Sequence, residues 1–345
     1  MTRSSVEIPN WPDPPLPVAV SECLTGAAVR YDGSDARSSF PHEALDGVIT
    51  CVPICPEVGI GMGVPRAPIQ LVGDPDRPRV LGVEDPGVDV TSKLEAYARS
   101  RSRQLRRVYG YIFMERSPSC GLHSVPVHGT DGGEPVHATG RGAYAREVSV
   151  RHPRLPVEEN GRLFEAAIRE SFLARVFAYA HWRRLCEGGL TPARLMEFHS
   201  RYKYLLMAHS IRHYGQAGRI LGNADEDALR SKPDSPSTKG EDAALCARSD
   251  RYLKCLLEGL SKPATRGGHA NVLSHLQGYL SRVLDGGTRR RLTEVIEKYR
   301  GGGVPLREPR EMLLRRLAHH PDQYLDKQVY LRPPWASEAA SVGRN

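Results

Sequence analysis

Tyr111-Ile112-Phe113-Met114-Glu115-Arg116-Ser117-Pro118-Ser119-Cys120-Gly121 runs from three apolar residues into a Ser/Pro/Gly turn and delivers one thiol there. An apolar run bounded by turn residues reads as a strand. Two earlier stretches repeat the design. Val18-Ala19-Val20 leads into Ser21-Glu22-Cys23, and Val48-Ile49-Thr50-Cys51-Val52 leads into Pro53-Ile54-Cys55-Pro56-Glu57. Each places one cysteine just past the end of a strand. Open parallel sheets gather such strand ends along one edge, where ligands bind. Cys23, Cys55 and Cys120 are therefore expected to meet. Cys51 falls inside its strand and is ambiguous.

Working outward, Ile69–Val72 and Arg79–Val83 read as a hairpin around Gly73-Asp74-Pro75-Asp76. Leu94, Tyr97, Ala98, Arg101, Leu105 and Val108 recur at helical spacing, with Thr91 as the expected N-cap. Strands alternating with helices indicate an α/β N-terminal domain with a mainly parallel sheet. His152-Pro153-Arg154-Leu155-Pro156 reads as a linker, and beyond it the period is helical almost throughout. The expected helices are Leu163–Cys186, Pro192–Tyr214, Ala243–Leu260, Ala270–Leu284, Arg289–Tyr299 and Pro305–Ala318. The expected plan is a disordered arm (1–16), an α/β domain (17–150), a linker (151–160), an all-α C-terminal domain (161–335) and a disordered tail (336–345).

The 345 residues suffice for two cores, and 40% hydrophobic with 26% charged residues is ordinary for globular chains. No apolar run approaches the roughly 20 residues of a membrane span, and the start lacks the apolar core of a signal peptide. A cytoplasmic protein is expected. Its seven cysteines then read as ligands, nucleophiles or buried small residues rather than disulfides. Cys186, Cys246 and Cys255, in helical segments, read as buried core thiols. Residues 1–150 hold 15 Lys+Arg against 18 Asp+Glu, whereas residues 151–345 hold 33 against 22, a net +11. A basic second half suits a polyanion such as nucleic acid, although an Arg-rich solvated surface has the same composition.

Several chemistries are excluded. Val58-Gly59-Ile60-Gly61-Met62-Gly63 is no dinucleotide fingerprint, because Pro65 and Pro68 stand where a helix should open. No paired Cys-x-x-Cys knuckles or zinc-deaminase signature occur. Three thiolates make an incomplete cage, leaving one open position on an iron–sulfur cluster or a zinc ion. A structural zinc site or unrelated buried thiols remain alternatives. Glu57, two residues after Cys55, is placed to activate water or carry a proton, and Ser117 and Ser119 offer hydroxyls to a substrate.

Cys23-Leu24-Thr25-Gly26 with Arg30-Tyr31-Asp32-Gly33, Cys55-Pro56-Glu57 with Pro65-Arg66, and Ser117-Pro118-Ser119-Cys120-Gly121 resemble the thiouracil desulfidase (TudS) family over Pro17–Tyr144. The resemblance implies a [4Fe-4S] cluster held by Cys23, Cys55 and Cys120 with one open iron. It also implies catalytic roles for Glu57 and for a serine, Ser117 in preference to Ser119. The later stretches Phe198–His209, Pro263–Leu273 and Gln328–Leu331 resemble the YbgA-type helical domain. The whole arrangement is similar to the fused tRNA 4-thiouridine desulfidases (RudS). That implies tRNA carrying 4-thiouridine as substrate and partner, with Arg201, Lys203, Arg212, Arg266 and His269 as candidate RNA contacts. His209 and His213 read as one helix face rather than a metal site. The rival readings are a desulfidase of free thiolated nucleobases and a non-catalytic metal-containing RNA-binding regulator.

Overall fold

Eight short strands carry the first part of the chain in this computed structural model, which describes residues 12–130, 133–222 and 238–336. They are β1 (Leu16–Ser21), β2 (Ile49–Ile54), β3 (Ile69–Val72), β4 (Arg79–Gly82), β5 (Tyr111–Phe113), β6 (Val125–His128), β7 (Pro135–Gly140) and β8 (Val157–Glu159). The first sheet has the order β2-β1-β5-β8, parallel throughout. Its inner strands are apolar on both faces, as a covered parallel sheet requires: Val18, Ala19, Val20, Tyr111, Ile112 and Phe113 have no exposed surface. The second sheet has the order β4-β3-β6-β7, with β3 and β6 parallel and both outer pairs antiparallel. The expected hairpin is its β3–β4 pair, while β6 and β7 were not foreseen.

One apolar core joins the two sheets. Ala19, Ile54, Leu71, Val80, Tyr111, Phe113 and Val127 share it with Leu94 and Ala98 of α3 (Thr91–Ser100) and Tyr144 of α5 (Ala143–Arg151). Before them come two single-turn helices, α1 (His42–Leu45) and α2 (Pro56–Gly59), and α4 (Ser102–Leu105) follows α3. Thr91 is the first residue of α3 rather than its cap. Its hydroxyl donates to Asp89 and accepts the Val80 N–H, which ties the helix to β4.

Residues 151–160 are not a linker. They contain β8, the fourth strand of the parallel sheet, paired from Tyr111↔Val157 to Phe113↔Glu159. Two adjacent carboxylates can sit inside because both are satisfied. Glu158 pairs with Arg162 and Arg175, and Glu159 Oε1 accepts the backbone N–H groups of Leu122 and His123. The chain divides into units ending and beginning at Tyr179 and Ala180, inside α6 (Ala166–Glu187). The first half of α6 covers the end of β5, where Gly110 faces Val176 and Phe172 closely enough to leave no room for a Cβ. The arm (1–16) and tail (336–345) lie outside the described residues, except that Leu16 begins β1 and residues 12–15 and 336 are described.

The second unit is helical: α7 (Pro192–His209), α8 (Ile211–Gly222), α9 (Thr238–Leu260), α10 (Arg266–Tyr279), α11 (Gly286–Arg300), α12 (Arg307–His319) and α13 (Gln323–Asp326). Local signals set the boundaries. Thr191, Thr265 and Asp285 cap α7, α10 and α11 through side-chain oxygens that accept N–H groups of the first turn. The expected helix Pro192–Tyr214 breaks at Ser210, which is extended and whose Oγ meets His213 Nδ1 at 2.7 Å. His209 and His213 therefore lie on different helices. Inside, Phe198 stacks on Tyr202 at 4.6 Å, and Trp182 meets Phe198 edge-on. Among the described residues no helix is long and apolar enough to cross a membrane.

Candidate active site

Three adjacent strands of the parallel sheet each deliver one cysteine at the same edge. Cys55 follows β2 directly, Cys23 follows β1 by two residues in a short 3-10 turn, and Cys120 follows β5 at the end of the Ser-Pro-Ser turn. The three thiols act on one another electrostatically. Burial pushes the Cys23 thiol up to about 11, with Cys55 and Glu57 adding to the rise and Arg30 opposing it. Burial also raises Cys55. Cys120 is only 5% exposed, and burial, then Glu57, hold its thiol well above the ordinary range while a hydrogen bond from Ser21 opposes them. Groups so placed are neutral thiols by themselves, and a bound cation reverses that preference.

Glu57 stands in the first turn of α2, after Cys55 and Pro56. Arg66 grips its Oε2 with Nε at 2.9 Å and Nη2 at 2.7 Å. The same guanidinium donates to the carbonyls of Gly63 and Val29. With side-chain exposures of 5% for Arg66 and 13% for Glu57, the pair is largely withdrawn from water. The glycine-rich run Gly59–Gly63 makes this return possible, since Gly61 and Gly63 adopt φ +87 and +76. Beyond Arg66 lies an open cavity of about 410 Å3, lined by Met62, Pro68, Ile69, Val90 and Lys93 among others. It does not reach the thiols.

The Cys120 turn is held from several sides. Ser117 Oγ accepts the N–H groups of Ser119 at 3.3 Å and Cys120 at 3.1 Å. Ser119 is fully buried, and its Oγ has no hydrogen-bond partner. Arg116 takes a φ of 59, uncommon outside glycine. Gly142 starts α5 against the turn, where an added Cβ would stand 2.5 Å from the Ser119 carbonyl. Ser21 Oγ accepts the Met114 N–H, and Asn160 binds Glu115 N–H through Oδ1 and the Ser39 carbonyl through Nδ2. Sequence reading missed Ser21, Glu159 and Asn160 as supports, because their partners lie far along the chain.

Among the described residues, no group of three or more His, Cys, Asp or Glu side chains is gathered tightly enough to hold a single metal ion. Three thiols at one edge are soft donors of the kind that an iron–sulfur cluster takes. Cys51 is half-buried within β2, where it pairs with Val18 of β1. Cys186 and Cys246 are exposed rather than core thiols, and Cys255 is buried as expected.

The candidate RNA contacts separate by burial. Arg201 is 6% exposed and paired with Glu197, and His269 is 7% exposed with Nδ1 3.2 Å from the Tyr330 hydroxyl. Burial pushes His269 down to about 3. Both are interior residues whose polar atoms serve the fold, so neither is a surface contact. Lys203 is half-buried between the Tyr204 and Tyr324 rings, while Arg212 and Arg266 are exposed.

Comparison with known proteins finds separate matches for the two parts of the chain. The 2-thiouracil desulfurase family profile matches residues 18–160, and a family of unknown function, DUF1722, matches residues 238–334. The uncharacterized protein YbgA of Escherichia coli (strain K12) is 34% identical over 161 residues, 47% of this chain and 86% of YbgA. The uncharacterized protein YbbK of Bacillus subtilis (strain 168) is 31% identical over 134 residues, 36% of this chain and 84% of YbbK. The chain belongs to the 2-thiouracil desulfurase family. Its desulfurase domain is fused to a DUF1722 helical domain. A solved [4Fe-4S]-dependent thiouracil desulfidase, TudS, is 24% identical, covers 45% of this chain and 97% of its own, and has a TM-score of 0.33.

Proposed function

We propose that this desulfurase-family protein replaces the sulfur of a thiolated pyrimidine by oxygen, acting on 4-thiouridine in tRNA to give uridine and sulfide. The observation that carries the reading is the set of three thiols and one Arg-held carboxylate at a single sheet edge. Cys23, Cys55 and Cys120 would hold a [4Fe-4S] cluster whose remaining iron supplies a soft Lewis acid for the thiocarbonyl sulfur.

The chain's own groups supply the rest. Arg66 occupies Glu57 Oε2, which orients the carboxylate and leaves Oε1 to take a proton from the attacking water. Ser117 accepts two turn N–H groups and keeps its own hydrogen to donate toward the substrate, whereas Ser119 is fully buried. Water adds at the ring carbon, the C–S bond breaks and sulfide leaves, so no oxidant or reductant is required. Arg212 and Arg266, with Lys203, supply cationic groups for RNA phosphates on the helical unit.

Iron and acid-labile sulfide per chain, measured after anaerobic purification of wild type and Cys120→Ser, test the cluster. About four of each in wild type, lost in the variant, supports the reading, and zinc without labile sulfide removes it. Turnover of thiolated tRNA against free 4-thiouridine then tests the substrate. Preference for the free nucleoside would assign the chain to small metabolites instead.

A further inference from the structure

The helical unit carries an aromatic feature in which Lys203 and Tyr204 of the Phe198–His209 stretch meet two tyrosines from outside the motifs, Tyr279 and Tyr324. Tyr279 ends α10 and is 48% exposed. Its ring lies 5.2 Å from that of Tyr324, tilted by 33°. Tyr324 meets Tyr204 edge-on at 6.3 Å, and Lys203 Nζ stands 4.9 Å from the Tyr324 centroid and 5.2 Å from that of Tyr204. The open ring thus rests against Tyr324, which is itself packed by Tyr204 and Lys203, so its support is in place before any partner arrives.

The surroundings are basic. Arg289 donates to the carbonyls of Ser281 and Leu284, just beyond Tyr279, and so brings the exposed run Arg289-Arg290-Arg291 beside the end of α10. Asp322, the carboxylate that acts on Tyr279, is engaged as the cap of α13, where its Oδ1 accepts the N–H groups of Tyr324 and Leu325. A pre-ordered aromatic face flanked by guanidinium groups matches an unpaired nucleotide, whose base stacks while its phosphate meets arginine.

We infer that Tyr279 is a stacking platform for an unpaired base of the RNA, with Arg289–Arg291 along the flanking phosphates. The inference rests on the proposed tRNA substrate. It is tested with the full chain by titrating thiolated tRNA over a range of salt, and by comparing kcat and KM on tRNA with turnover of free 4-thiouridine. Tyr279→Ala is expected to weaken tRNA binding about ten-fold, within the range for one lost base stack, with an unchanged salt slope. KM on tRNA should rise, with kcat and free-nucleoside turnover unaltered, and Tyr279→Phe should behave as wild type. If Tyr279→Ala binds like a salt-sensitive wild type, the platform is refuted and the RNA reading stands. A phenylalanine variant as weak as the alanine one refutes stacking in favour of the hydroxyl. Wild type without salt-dependent tRNA binding would overturn both.

Discussion

Arg66 directs one guanidinium at three acceptors, the Glu57 carboxylate and the carbonyls of Gly63 and Val29. Arg66→Ala would leave a largely buried carboxylate unpaired, at a cost of about 3–5 kcal/mol, measurable by urea unfolding. Arg66→Lys keeps the charge but not the fork. It should recover part of the stability while kcat stays low, because Glu57 loses its orientation. Glu57→Gln is expected to abolish turnover with iron and labile sulfide retained; their loss would make Glu57 a structural residue. His269 gives a pH dependence. Its folded value of about 3 lies below the ordinary 6.5, so on acidification the unfolded chain takes up a proton that the folded chain refuses. Stability is complete above pH 6.5 and declines as pH falls toward 3, by about 2 kcal/mol between pH 7 and 5. Urea titrations of wild type and His269→Gln at those two pH values should differ in this slope.

Among the elements, β8 has the largest consequence for the site. A fragment ending at residue 150 lacks β8 and with it Glu159 and Asn160, the supports of the Cys120 turn. It should fail to give a cooperative unfolding transition, whereas a fragment through residue 179, the observed limit of the unit, should give one. Equal transitions for both would show that β8 is dispensable. The parallel edge and its three cysteines were legible because each strand is an apolar run closed by turn residues. β8 was not: Val157-Glu158-Glu159 has no apolar alternation and follows a Pro-rich stretch. Its carboxylates are tolerable only through partners at Leu122, His123 and Arg175, which local reading cannot supply. Arg201 and His269 failed as surface candidates for the same reason, since charge in a motif does not reveal burial.

At the scale of the whole chain, charge divides with architecture, +11 falling on residues 151–345. Binding of tRNA should therefore weaken with a linear slope in log salt. Arg212→Ala and Arg266→Ala should each reduce that slope by about one, with the unfolding midpoint nearly unchanged; unaltered slopes would remove both residues from the interface. The late position of β8 also bears on synthesis. Folding proceeds from the N-terminus as the chain leaves the ribosome, yet the turn bearing Cys120 receives its last braces only from Glu159 and Asn160. Nearly half of the polypeptide must emerge before the three thiols are fixed in place, so delivery of the proposed cluster to a nascent chain would have to wait for a strand that follows all three cysteines.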